Sequence, residues 1–161
     1  MHTILSTLSS SPSTAAYLIF CTPERAYVVE KDHRKALIRD SDTYLTSYNH
    51  DFADEDDPTE LESAIQELAS TGDATGMCDV VSLSLDRKAH LDELWAKRVR
   101  SCRRHHGRHG TVVTQKDVIG FLQDPEICND ETHYAVVMDP TLGRVIWARM
   151  YHIAEDLVDD I

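Results

Sequence analysis

The sequence predicts an α+β fold, mainly antiparallel sheet with three helices and a C-terminal hairpin, on three observations. Short runs rich in Tyr, Val, Ile and Leu crowd residues 15–49 with only a few residues between them, a spacing that permits hairpin turns but not parallel crossovers. Apolar stripes at helical spacing follow in the middle of the chain. Two further strand-like runs close it around the turn Asp139-Pro140-Thr141-Leu142-Gly143. Strands, then helices, then a hairpin is the order of a layered α+β structure rather than of alternating βαβ units.

The strand runs lie at 15–22, 26–31, 35–39 and 44–49, with Pro23, Asp32 and the Asp40-Ser41-Asp42 trio at the turns. Residues 1–14, with a serine-rich stretch at 9–14, read as a flexible lead-in, so order is expected from Ala15, a main domain over 15–152 and an acidic tail over 153–161. The acidic segment 51–62 contains Asp54, Glu55, Asp56 and Asp57 in a row. It reads as a solvated loop facing the positive end of a helix that starts near Pro58 and carries Leu61, Ala64, Ile65 and Leu68 on one stripe. It lacks the ligand alternation and the glycine of a calcium loop.

A second helix is expected from Leu85, Ala89, Leu91, Leu94, Trp95 and Val99, with Ser84 as its N-cap. A third begins at Thr114, with Asp117 three residues on as a capping-box analogue and Val118, Phe121 and Leu122 as its stripe. Asp124-Pro125 ends it. In the closing hairpin, 133–138 and 144–149, Gly143 is expected to take the left-handed turn conformation.

With 161 residues and 42% apolar content, the chain has the length of about one domain and enough apolar side chains for a core. A net charge of -12 repels phosphate backbones and anionic lipid, so no nucleic-acid partner is expected. No apolar run approaches the roughly 18–20 residues of a bilayer span, and the start up to Pro12 is too polar for a signal peptide. A soluble, cytoplasmic chain is expected. Cys21, Cys78, Cys102 and Cys128 are scattered without a CxxC pair and read as free thiols.

Two segments could carry chemistry. In Tyr48-Asn49-His50-Asp51-Phe52, at the end of the fourth strand run, the Asn49 amide could donate to an oxyanion, or simply cap a turn. The basic cluster over 98–109 holds Arg98, Arg100, Arg103, Arg104, Arg108, His105, His106 and His109. No acid or cysteine completes a ligand spacing there and the arginines repel a cation, so no metal is expected. It also lacks the interleaved aromatics of a nucleic-acid surface. It reads as a solvated interhelical loop in contact with the acidic segment.

The stretch from Thr46 to Phe52 resembles the asparagine-bearing strand end of the isopenicillin N acyltransferase-like and acid ceramidase-like groups, which include N-acylethanolamine acid amidase-like proteins. Ser84-Leu85-Asp86-Arg87 is similar to their Ser-x-x-Arg helix start, and Thr114 to Leu122 to their "T-x-x-D-V-x-x-x-L" helix. Ile127-Cys128-Asn129 and Thr132 to Trp147 resemble their "IC" turn and final hairpin. Together the segments span roughly residues 15–150 in the same order.

The resemblance implies a partial αββα sandwich of the N-terminal-nucleophile type. In that family autoproteolysis exposes a cysteine that attacks a non-peptide amide, with its own amine as base and no cofactor. It assigns Asn49 to the oxyanion hole or amine positioning, and Arg87 to the charge network around the reacting group. The spacing between Asn49 and Arg87 is longer than the family's, with the acidic segment inserted. The cysteine-led strand does not precede Ala15, and Cys21-Thr22 lacks the arginine and aspartate that follow the nucleophile. The nucleophile is therefore expected on an upstream subunit or segment, the substrate is an acyl-amide small molecule, and the alternative is a non-catalytic remnant serving as an interaction module.

Overall fold

A computed structural model describes residues 1–50, 63, 66, 70, 75–106, 113–128 and 132–151. Among them three helices and five strands have continuous spans. In chain order these are α1 (His2–Ser10), β1 (Ala16–Cys21), β2 (Ala26–Lys31), β3 (Ala36–Ser41), α2 (Thr75–His106), α3 (Gln115–Leu122), β4 (Tyr134–Asp139) and β5 (Arg144–Met150). No helix among the described residues is long and apolar enough to cross a membrane. The class is α+β and every strand pair among the described residues is antiparallel; the strands form two sheets, β1-β2-β3 and β4-β5, so the closing hairpin does not join the sheet of the early strands. The chain divides into two compact units, Met1–Leu85 and Asp86–Ile161.

In the first unit, Thr22 closes the β1–β2 turn. Its amide donates to the Arg25 carbonyl at 2.8 Å, and its hydroxyl oxygen accepts from the amides of Glu24 and Arg25. Asp32 does the same for β2–β3: its amide donates to the Lys35 carbonyl at 3.0 Å, and its carboxylate accepts the His33 amide. Short turns of this kind fix the register, which runs from Ala16↔Lys31 to Cys21↔Ala26 and from Ala26↔Ser41 to Lys31↔Ala36. The middle strand supplies the core, with Val29 fully buried and Val28 nearly so. Each such valine contributes about 1.5–3 kcal/mol of burial.

Two expectations fail in this unit. Residues 2–10 form a helix, not a flexible lead-in: Leu5 is buried, α1 packs against β2 and β3, and the hydroxyls of Thr7, Ser9 and Ser10 donate to carbonyls one turn back. Those hydroxyls read as loop formers in sequence, but a buried Leu5 outweighs their low propensity. The run at 44–49 is not a fourth strand. Its backbone is claimed by side chains: the Thr43 and Tyr44 amides donate to Ser41 Oγ, the Asn49 amide to Ser84 Oγ, and the Thr46 carbonyl accepts from Arg39. A backbone satisfied in this way has no need of a ladder.

Helix α2 also departs from expectation at both ends. It begins by Thr75, so Ser84 lies inside it and is not its N-cap. It runs through His106, so most of the basic cluster is helical rather than loop. The apolar stripe explains the extension, because buried Cys102 continues the spacing from Trp95 and Val99. Ser63, Gln66 and Ser70 are helical, whereas the acidic segment 51–62, Ala64, Ile65 and Leu68, and residues 107–112 lie outside the described residues.

In the second unit, α3 starts on the expected capping box. The Thr114 hydroxyl accepts the Asp117 amide at 3.3 Å, and the Asp117 carboxylate accepts the Thr114 amide at 2.8 Å. Arg98 of α2 pairs with Asp117 at 3.0 Å, and His90 with Asp124 at 3.0 Å. Rising numbers on α2 meet falling numbers along α3 and the turn after it, so the two run antiparallel. The β4–β5 turn is held by the Asp139 carboxylate, which accepts the Thr141 and Leu142 amides, and Gly143 has φ +60° as its position requires.

Candidate functional site

Arg39 organises the ground on which the Asn49 segment rests. Its Nε and Nη2 donate to Glu30 Oε1 at 2.9 and 2.6 Å, and Nη2 also donates to the Thr46 carbonyl at 3.0 Å. Glu30 is only 7% exposed. A carboxylate so far from water needs the guanidinium on it to stay charged, and the same guanidinium then ties the irregular segment to the sheet.

A second anchor lies four residues on. Ser84 is fully buried on α2, and its Oγ accepts the Asn49 amide at 2.9 Å. Its hydroxyl proton is then available to His50 Nδ1, also 2.9 Å away. The His50 imidazole is buried and stacks on the Tyr48 ring, with centroids 5.7 Å apart and planes within 5°. A serine and a histidine at this distance look like a nucleophile and its base. Full burial of Ser84 rules that out, because no carbonyl carbon can reach its oxygen. The pair is a structural pin.

The pin sets the posture of Asn49. With its backbone amide held inward, Asn49 is exposed, so its carboxamide is available to a molecule arriving from solvent. It does not sit at a strand end, since there is no strand at 44–49. Arg87 is half-buried on α2. Asn49 belongs to the first unit and Arg87 to the second.

A groove of about 360 Å³ opens at the start of β1 and the β2–β3 turn, with Tyr17 and Leu37 as walls and Glu30, Asp32 and Lys35 among its polar lining. Glu30 is already paired with Arg39, and the Lys31 ammonium beside it donates to the carbonyls of Asp32 and Lys35 at 3.1 and 3.3 Å. No cysteine, serine or threonine lines this groove, and neither does Asn49. Cys21 is exposed at the other end of β1, about 13 Å along the strand from Tyr17.

Sequence reasoning missed the groove and the pin, because both depend on residues far apart in the chain. Cys102 is buried and Cys128 half-buried, and neither they nor Cys21 form a disulfide. Next to Cys128, burial pushes the Tyr151 phenol up, the cysteine adds to that shift, and Arg149, 4.8 Å above the ring, opposes it. Tyr151 is therefore neutral. Among the described residues no group of three His, Cys, Asp or Glu side chains could hold a metal ion. Comparison with protein-family models, with curated proteins and with solved structures returned no match.

Proposed function

We propose that this chain is the C-terminal portion of a cysteine-dependent hydrolase or acyltransferase acting on non-peptide amide bonds. One observation carries the proposal. Asn49 and His50, in the segment resembling the family's asparagine-bearing element, both engage Ser84, which opens the segment resembling its Ser-x-x-Arg element. Residues 35 apart in sequence are thereby joined, and the Asn49 side chain is left exposed.

In this scheme a cysteine thiolate from an upstream segment attacks the substrate carbonyl carbon. The C–S bond forms, the oxyanion accepts a hydrogen bond from the Asn49 amide, and the C–N bond breaks as the amine leaves with the thiol's proton, carried by the nucleophile's own amino group; water, or an acyl-accepting amine, then attacks the thioester, releasing the acyl group and restoring the thiol. A pre-positioned donor of this kind is worth about 10²-fold or more in turnover.

The alternative is a non-catalytic interaction module. It is favoured by the exposed apolar residues of the β4–β5 hairpin, among them Tyr134, Met138 and Met150.

Turnover of fluorogenic acyl-amides separates the two. The chain is assayed alone and together with a cysteine-led segment from its own locus. Activity only in combination, reduced about 10²-fold by Asn49→Ala with little change in KM, supports the enzyme. Activity of the lone chain that Cys21→Ser abolishes overturns the placement of the nucleophile, and no activity in either arm leaves the module.

A further inference from the structure

Strand register separates the residues of the β4–β5 hairpin by chemistry. Tyr134, Val136 and Met138 share one face of the ribbon with their cross-strand partners Met150, Ala148 and Val145, the last brought opposite Met138 by a register shift after Val137. All six are uncharged and five are aliphatic. Asp139, Arg144 and Arg149 alternate onto the opposite face, with Ala135, Val137 and Trp147. That second face is the covered one, since Ala135 and Val137 are buried and β4 contacts α3. The first face is open: Tyr134 is 70% exposed, Met138 69%, Val145 53% and Met150 80%.

We propose that this open face is the contact surface between two copies of the chain. Three features fit a second copy.

The first is size. Side chains of this kind present on the order of 150–200 Å² each, so these four exposures leave about 500 Å² open per copy, as much as the largest patches on ordinary monomers. A two-fold contact would bury about 1,000 Å², the least that a specific interface needs.

The second is shape. The larger pairs, Tyr134 with Met150 and Met138 with Val145, stand at the two ends, and the smaller pair Val136 with Ala148 forms a waist between them. Two such ribbons crossing at their waists interlock, and a surface that complements itself is what a two-fold axis requires. The third is charge. Each copy carries a net -12, yet the register removes every charged side chain of the hairpin from this face, so the contact sets no like charges against each other.

Sedimentation equilibrium of the full chain at tens of micromolar tests the proposal. The expected result is a dimer that Ala148→Lys converts to a monomer with an unchanged circular dichroism spectrum, because two lysines then meet at the waist. Met138→Lys, at an already exposed end position, weakens the dimer at least tenfold and serves if Ala148→Lys does not fold. Ile19→Lys, on the other sheet, leaves it intact. A chain that is monomeric under these conditions, or a dimer indifferent to both hairpin substitutions, overturns the proposal. Neither result depends on amide hydrolysis, so this test and that of the proposed reaction fail separately.

Discussion

The two sheets of this protein bury themselves in different ways. In β1-β2-β3 the middle strand is flanked on both sides, and Val28, Val29, Glu30 and Lys31 are all buried. In β4-β5 both strands are edges; one face packs inward and the other leaves four large apolar side chains open. A third strand lets a sheet bury even a charged pair, because the backbone around it is already satisfied and a guanidinium can be aimed from the neighbouring strand. A two-stranded ribbon has no interior of that kind and is marginal unless something covers it. Here the helix α3 covers one face, and the open face is expected to add little to the stability of the unit that carries it.

The sharpest way to break this comparison is Arg39→Ala, which takes the guanidinium off the buried Glu30 carboxylate and releases Thr46. Removing one partner of a buried ion pair costs about 3–5 kcal/mol. Hydrogen exchange at the β2 amides should rise accordingly. Trp95 and Trp147 both lie in the second unit, so the urea midpoint followed by tryptophan fluorescence should stay in place. If it moves by the same amount, the two sheets are not energetically separate.

Val29→Ala removes two methyl groups from a position with no exposure and should cost about 2 kcal/mol in the same exchange measurement. A loss below a few tenths of that would mean that the middle strand is not the core.

Thr114→Ala should cost about 1 kcal/mol in the second unit, read this time by tryptophan fluorescence in urea. The same cap carries a pH dependence. Partial burial opposes the charge on Asp117, but the Thr114 hydrogen bonds and the Arg98 guanidinium outweigh it and hold the carboxyl below its usual value. The unfolded-state pKa is about 3.9, so the contribution is complete above that pH and is lost as pH falls through the lower folded-state value. Asp117→Asn should flatten the acid limb of stability against pH and leave the slope near neutrality unchanged.

Met138→Ala marks the small end of the scale. At a position 69% exposed, the substitution should alter the stability of the monomer by less than about 0.5 kcal/mol, measured at concentrations too low for association. A larger loss would show that the open face supports the fold.

Features set within a few residues were legible in the sequence. Asp117 three residues after Thr114 encodes the capping box, Gly143 encodes the left-handed turn, and Thr22-Pro23 and Asp32 encode the hairpins that fix the register of β1, β2 and β3. Each is settled by groups one turn apart, and local propensity suffices to read it. The lead-in was misread because hydroxyl residues favour loops in isolation, although Leu5 and Leu8 already carry helical spacing. Asn49 was legible as a residue type, but not its posture.

What only the tertiary structure decided were the pairings across long stretches of chain. Ser84 holding Asn49 and His50, Arg39 holding Thr46 against Glu30, and the division of five strands into two sheets all belong to this class. A hydroxyl or a guanidinium has the same local sequence signature whether it meets solvent or a partner 35 residues away. The choice is made by the burial that brings the two together, and burial is a property of the whole packed unit.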